Sequence, residues 1–239
     1  MIWRVRIRVS LECAARSFLP LIFLAASGCF NATSNSLPEI SLLGIAGGPT
    51  VIAASCAEWK SKVPSSSDGT YLLTLPAGQV NVFCYNMTTT PLEYLAFPRS
   101  VSSGFPNSNY TYAASPPAGG WRRSFDRVRF FPDTLQVSIT DNTFASDSCT
   151  TPPCTNPYHQ ARYAEAAGCG SEDGTGTVDL IGLPFVVNTS QFAQNGSGPY
   201  NCTVTPSSSG QVMNLTGNGG CGWISPDTGT QRLQLAWGP

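Results

Sequence analysis

The chain has 239 residues, of which 41% are apolar and only 11% are Asp, Glu, Lys or Arg, so it is long enough to form one sizeable hydrophobic core. The formal net charge of -1 excludes a general electrostatic attraction to nucleic acid, and no segment resembles a nucleic-acid-binding module. With 23 glycines, 19 prolines and 9 cysteines, the composition is typical of an extracellular, β-rich protein with many turns.

Residues 1–28 have the pattern of an export signal. Arginines precede a short apolar segment at 18–26, which is too short to stay in a bilayer as a spanning helix. Ala26-Ser27-Gly28-Cys29 resembles a bacterial lipobox, in which the cysteine is acylated, although Ala26 stands where leucine is usual. The same residues also suit ordinary signal cleavage. Lipidation of Cys29, with membrane attachment through its acyl chains, and plain secretion are therefore alternative predictions.

Residues 29–54 lack a clear periodicity and are predicted to form a tether, with an irregular first strand at 40–45 as the alternative. The predicted domain then covers 55–239. It begins with Ser55-Cys56-Ala57-Glu58, a capping box in which the Ser hydroxyl accepts from the third helical N–H and the Glu reaches back. The helix is short because the residue before Pro64 avoids the α region.

Residues 68–87 alternate as two strands around a Pro76-Ala77-Gly78 turn, which predicts a hairpin. On the first strand, one face carries Tyr71, Leu73 and Leu75, and the other carries Leu72. On the second strand, one face carries Val80, Val82 and Cys84, and the other carries Phe83 and Tyr85. Further strands are predicted at 94–97, 135–139, 177–183 and 185–187. Residues 100–120 are predicted to be a long loop, and a glycine-rich turn is predicted after Cys169. The expected fold is mainly β with minor short helices, a single disulfide-stapled extracellular domain with β-hairpins and long loops.

Several segments between residues 56 and 235 together resemble the GON domain. They include Cys56-Ala57-Glu58-Trp59, Asp68-Gly69-Thr70-Tyr71, Val82-Phe83-Cys84-Tyr85-Asn86-Met87, Phe125-Asp126-Arg127-Val128-Arg129, Ala166-Ala167-Gly168-Cys169 and Gly219-Gly220-Cys221-Gly222. The GON domain is the C-terminal module of some ADAMTS-type secreted metallopeptidases and also occurs in bacterial exported proteins. The opening of the domain is also similar to the start of fibrinogen-related domains.

The resemblance implies a disulfide between Cys56 and Cys84. Such a bridge closes a loop of about 28 residues and contributes on the order of 3–4 kcal/mol by restricting the unfolded chain. Cys149 and Cys154 lie close enough in sequence to form a local pair. The pairing of the other three stays open, namely Cys169, Cys202 and Cys221. If Cys29 is acylated, seven cysteines remain, so at least one is free or bonded to a partner.

The resemblance implies an accessory domain rather than a catalytic one. Zincin catalysis needs two histidines on one helix, and this chain has the single His159. The resemblance to a domain of ADAMTS metallopeptidases therefore does not imply a zinc site in this chain. His159 is predicted to be a surface residue, with a role beside Cys154 or a metal as the alternative. Catalytic residues, resident metals and cofactors are therefore not predicted.

Acidic residues near the middle of the chain supply the alternative of an enzyme that hydrolyses glycan or cell-wall material. Paired carboxylates perform such chemistry when they flank a sugar-binding cleft. Loop acids beside glycines are more often turn formers, and Ser171-Glu172-Asp173-Gly174 has oxygen ligands for calcium but lacks the EF-hand pattern. The acids concerned lie in the region 133–179, and four of them cluster in sequence, namely Glu165, Glu172, Asp173 and Asp179.

Four arginines form the main basic cluster of the predicted domain, and they are Arg122, Arg123, Arg127 and Arg129. Guanidinium groups suit sulfates, phosphates and carboxylates, so the cluster predicts an anion-binding patch; the alternative is a solvated strand surface. The preferred function is an extracellular binding or interaction module for a polysaccharide or a protein, with a structural cell-envelope protein as a further alternative. Seven N-x-S/T sequons indicate either glycosylation or a Ser/Thr/Asn-rich bacterial surface.

Overall fold

The fold was analysed in a computed structural model, which describes residues 51–98, 109–113, 121–149, 160–226 and 231–238. Strands dominate these residues, so the prediction of a mainly β fold is confirmed. The predicted signal, Cys29 and the tether up to residue 50 lie outside the described residues, as do Cys154 and His159. The described residues all belong to the unit Gly48–Pro239.

The elements are named in chain order. They are α1 (Cys56–Lys62), β1 (Gly69–Leu75), β2 (Gly78–Tyr85), β3 (Leu92–Ala96), β4 (Asn109–Ala113), β5 (Trp121–Phe125), β6 (Arg127–Phe131), β7 (Gln136–Ser138), β8 (Ala145–Cys149), β9 (Ala166–Asp179), β10 (Phe185–Val186), β11 (Phe192–Asn195), β12 (Thr203–Ser207), β13 (Val212–Pro226), β14 (Arg232–Gln234) and β15 (Ala236–Trp237), with short 3-10 helices at Thr189–Gln191 and Ser208–Gly210.

The strands form two large antiparallel sheets and one small pair. The first sheet has six strands in the order β1-β2-β3-β6-β7-β14. The second has seven, in the order β11-β13-β9-β4-β5-β8, with β12 also paired to β13. Strands β10 and β15 pair with each other. Buried residues from both large sheets belong to one hydrophobic core, so the two sheets share the apolar surface that folding removes from water.

The predicted hairpin is present and its alternation is confirmed. Leu75 pairs with Gly78, so only Pro76 and Ala77 lie between the two strands. The residues predicted to share a face on each strand are buried together, namely Leu73 and Leu75 on β1 and Val80, Val82 and Cys84 on β2, whereas Leu72 is 42% exposed and Tyr85 is 36% exposed. The sheet therefore has one face on the core and one toward solvent.

The N-terminus of helix α1 is capped by Ser55 as the sequence predicts, whereas Glu58 caps a different backbone N–H from the one predicted. The Ser55 hydroxyl accepts a hydrogen bond from the Glu58 N–H at 3.0 Å. The Glu58 carboxylate accepts from the N–H of Ala54 at 2.7 Å, one residue earlier than a standard capping box places it. This hydrogen bond, followed by the one from Lys62, lowers the pKa of Glu58. Trp59 packs against Tyr71 of β1, with ring centroids 4.8 Å apart.

Two predictions about turns and loops were wrong. Strand β4 lies inside the segment 100–120 that was predicted to be a loop, and it pairs with β5 and β9. The glycine-rich turn predicted after Cys169 is part of β9. Its partner β13 also runs through glycines, with register shifts between Gly217 and Gly219 and between Gly219 and Gly222. Glycine weakens the side-chain alternation that marks a strand, so the sequence predicted only the end of β9, within the strand expected at 177–183.

Between β5 and β6, the chain passes from the seven-stranded sheet to the six-stranded sheet within one residue. Strand β5 ends at Phe125 and β6 begins at Arg127, so Asp126 alone separates them. The Asp126 N–H donates to the carbonyl of Phe144 at 3.1 Å, and its carbonyl accepts from the N–H of Phe97 at 3.2 Å. Both backbone groups are thus satisfied at the point where the strand changes sheets.

Candidate anion-binding surface

The solvent-side face of the six-stranded sheet carries alternating arginines and aromatic rings. In the ladders, Phe83 is opposite Tyr94, and Tyr94 is opposite Arg129, so these side chains lie on one face. Their sequence neighbours Leu95, Val128 and Phe130 are buried on the other face. We call this surface the arginine face, and it consists of Phe83, Tyr85, Tyr94, Arg127, Arg129, Phe131, Phe144 and Arg232.

Arg127 lies against two phenyl rings. Its guanidinium carbon is 4.0 Å from the ring centroid of Phe83 and 4.8 Å from that of Phe144. Phe83 comes from β2, and Phe144 comes from the segment between β7 and β8. Among the described residues, Arg127 forms neither an ion pair nor a side-chain hydrogen bond, so stacking alone holds its guanidinium.

Arg129 is held differently, by a carboxylate. Its Nη1 lies 2.9 Å from Oε2 of Glu93, and the two side chains are only 14% and 7% exposed. The same nitrogen donates to the carbonyl oxygens of Glu93 and Phe130. The charge of Arg129 is therefore largely compensated by the protein itself.

Phe131 connects the second and third arginines of the face. The guanidinium carbon of Arg129 is 4.9 Å from the centroid of the Phe131 ring, and that of Arg232 is 3.7 Å from it. Arg232 reaches this ring from β14, across β7, and donates to Oε1 of Gln136 at 3.2 Å. Arg232 lies far along the chain from Arg127 and Arg129, so its sequence position does not predict that it shares their surface.

Tyr94 and Phe144 form the aromatic centre of the face. Their ring centroids are 4.8 Å apart at an edge-on angle, and Tyr85 contacts both rings. The Tyr94 hydroxyl donates to Oδ2 of Asp141 at 3.1 Å. Burial, followed by the neighbouring Asp141 carboxylate, raises the pKa of Tyr94, so Tyr94 stays a neutral hydrogen-bond donor under ordinary conditions.

The structure divides the four predicted arginines between two sheets. Arg122 and Arg123 lie on β5 of the seven-stranded sheet, and Arg127 and Arg129 lie on β6 of the six-stranded sheet. Arg123 makes a two-point contact with Asp147, at 2.6 and 2.8 Å. The sequence cluster is therefore not one patch, and the second pair shares a face with Arg232 instead of with the first pair.

Two of the clustered acids of the hydrolase alternative are buried, whereas Asp133 and Asp147 of the same region are exposed. Glu165 is 0% exposed and Asp179 is 1% exposed. Oδ1 of Asp179 accepts from the N–H of Ile181 at 3.0 Å. Burial, followed by the charge of Asp179, raises the pKa of Tyr163 well above its usual range. Within the described part of the chain, no group of three or more His, Cys, Asp or Glu side chains is arranged to hold a metal.

Two disulfides join described cysteines. Cys56 is bonded to Cys84, with Cα atoms 5.5 Å apart, and Cys169 is bonded to Cys221. Cys202 is a buried free thiol, and burial raises its pKa. The predicted local pair of Cys149 and Cys154 involves a residue outside the described ranges. None of the helices in the described ranges has the length and apolar character needed to cross a membrane.

Comparison with known proteins gives one match. The family model of the GON domain matches residues 53–117, which contain the capped helix, the Cys56–Cys84 disulfide and the first hairpin. No curated protein and no solved structure matches the chain significantly. A GON domain is an extracellular accessory domain and not a catalytic one. Residues 53–117 of this chain therefore carry the GON domain signature that the sequence resemblance predicted.

Proposed function

We propose that this protein is an exported, non-catalytic binding module that contacts its ligand through the arginine face. The observation that carries the proposal is the state of Arg127. Arg127 is half-buried and its guanidinium lies against two rings, yet no described residue accepts a hydrogen bond from it. A fixed guanidinium with unused donors is a ready partner for an external acceptor.

An extracellular location agrees with two observations. Disulfides persist in oxidising compartments, and two are present among the described cysteines. The GON match indicates the same location. The finer proposal is that Cys29 is acylated and tethers the module to the cell envelope. Replacement Cys29→Ser should then release the protein into the medium, and unchanged membrane association would contradict lipidation.

The non-catalytic part of the proposal is supported by the burial of Glu165 and Asp179. Both carboxylates lie almost completely out of solvent, so a bulky glycan could reach them only after local opening. Turnover of any glycan that is abolished by Glu165→Gln or Asp179→Asn, in a protein that stays folded, would contradict the proposal and establish the hydrolase instead.

The binding function is tested with the intact exported protein on an array of glycans and extracellular proteins. A small set of discrete ligands is expected, and their capture should decrease when the arginine face is altered. An array on which the folded protein retains no ligand would contradict the binding module and favour a structural envelope role.

A further inference from the structure

We propose that the ligand of the arginine face is an acidic polysaccharide and that Arg127 is the residue that anchors its carboxylate or sulfate groups. This inference rests on the proposed binding function and names the ligand class for the same surface. It depends on the different partners of three arginines, on the distribution of exposed groups around Arg127, and on the charge of the whole chain.

Three arginines of β5 and β6 differ in the groups that contact their guanidinium. Arg123 is paired with Asp147, and Arg129 is paired with Glu93. Arg127 lies between them in sequence and has two phenyl rings instead of a carboxylate. An arginine that served only to stabilise the sheet would contribute more stability if it were paired with a carboxylate. The unused N–H donors of Arg127 are therefore suited to binding a ligand.

The stacking of Arg127 prepares it to bind an anion. The rings of Phe83 and Phe144 restrict the guanidinium, so less side-chain entropy is lost when a ligand binds. They also exclude water from one side of it, which strengthens its attraction to a negative group. Carboxylate and sulfate groups present oxygen atoms at the spacing of the guanidinium fork.

The surroundings of Arg127 suit a chain of sugars better than a single ion. Glu93 compensates the charge of Arg129, so the charge that Arg127 offers is accompanied on this face by rings and amides. Tyr85 adds a partly exposed ring, and Asn81 adds an exposed amide on the same face of β2. Sugar rings offer both apolar C–H surfaces and hydroxyl groups, and this mixture of rings and amides is complementary to both.

The net charge of the whole chain supports recognition of a specific anion rather than general attraction. With a formal net charge of -1, the protein has no overall field that would collect polyanions of any kind. An acidic ligand must then be bound by local geometry, and the stacked guanidinium of Arg127 provides that geometry. An acidic peptide is the competing ligand class, and the experiment separates the two.

The test measures binding of the intact exported protein to four probes: heparin, polygalacturonate, neutral dextran and poly-glutamate. We expect binding to at least one of the two acidic polysaccharides and not to dextran. Heparin carries sulfates and polygalacturonate carries only carboxylates, so their comparison identifies the anion. Arg127→Met keeps an extended side chain on the rings and removes the charge, and it should weaken binding by about tenfold or more.

The matched control is Arg123→Met, which removes one positive charge from the other sheet. It should retain the affinity of the unaltered protein, and Arg127→Lys should fall between the two because it keeps the charge but loses the planar fork. Equal losses in the Arg127 and Arg123 variants would overturn the inference, as would poly-glutamate binding as tightly as the polysaccharide. Absence of binding to both acidic polysaccharides would also overturn the inference. The binding function itself is tested separately, by the array of glycans and extracellular proteins. Melting temperatures of all variants confirm that they are folded.

Discussion

The Glu93 carboxylate accepts a hydrogen bond from the backbone N–H of Cys56 at 2.8 Å, which attaches the start of α1 to β3. Glu93 is also directly opposite Cys84 in the β2–β3 ladder, and Cys84 is the disulfide partner of Cys56. A covalent link and a charged hydrogen bond thus join the same helix to neighbouring strands. The other oxygen of Glu93 pairs with Arg129, so this junction also supports the arginine face.

We expect Glu93→Ala to lower the free energy of unfolding by about 3–5 kcal/mol, because it leaves the largely buried Arg129 without its counter-charge. Urea denaturation followed by tryptophan fluorescence measures the change. The control is Asp147→Ala, which removes the 46% exposed partner of Arg123 and should cost less than about 1 kcal/mol. Similar losses in the two variants would show that the burial of the Glu93–Arg129 pair has no energetic consequence.

Removal of the Cys56–Cys84 bridge by the double replacement of both cysteines with alanine should cost about 2–5 kcal/mol. The bridge spans 28 residues, so it restricts a sizeable loop of the unfolded chain. Peptide mapping of the oxidised protein should recover Cys56 linked to Cys84 and Cys169 linked to Cys221. Recovery of Cys202 in either linkage would contradict the structure.

Cys202 should resist thiol reagents in the folded protein and react in urea, because it is 2% exposed and burial raises its pKa. A group that holds its proton more tightly when folded stabilises the fold below its unfolded pKa. That contribution is lost as the pH rises from about 8.5 through the higher folded value. The decrease in stability in this range should be smaller in Cys202→Ala. Rapid labelling of the native protein at Cys202 would contradict this prediction.

The hairpin turn and the C-terminal strand should be coupled through Gly78 and Trp237. A Cβ atom on Gly78 would lie 3.0 Å from the Trp237 ring, which also packs against Phe185. Gly78→Ala should therefore cost about 1–3 kcal/mol by displacing that ring. The same change should cost less when Trp237 is already Leu, and a double-mutant cycle measures the difference. Additive losses would mean that the two positions do not interact.

The first hairpin shows how much the sequence determines when local signals agree. Alternating apolar residues and a proline-glycine turn predicted both strands of the hairpin and which residues of each strand share a face, and the structure agrees. Strands β9 and β13 show the opposite case. Their glycines provide no alternation, so their long antiparallel pairing follows only from the arrangement of distant segments.

By itself, the sequence determined the mainly β fold, the capped helix, the GON signature and the oxidising compartment, because composition, periodicity and cysteine usage are local properties of the chain. Only the tertiary structure decided which arginines share a surface. The change of sheet at Asp126 separates Arg123 from Arg127, and the six-stranded sheet brings Arg232 to the ring of Phe131. Strand order depends on contacts between remote segments, and neighbouring positions in a sequence therefore do not define a surface.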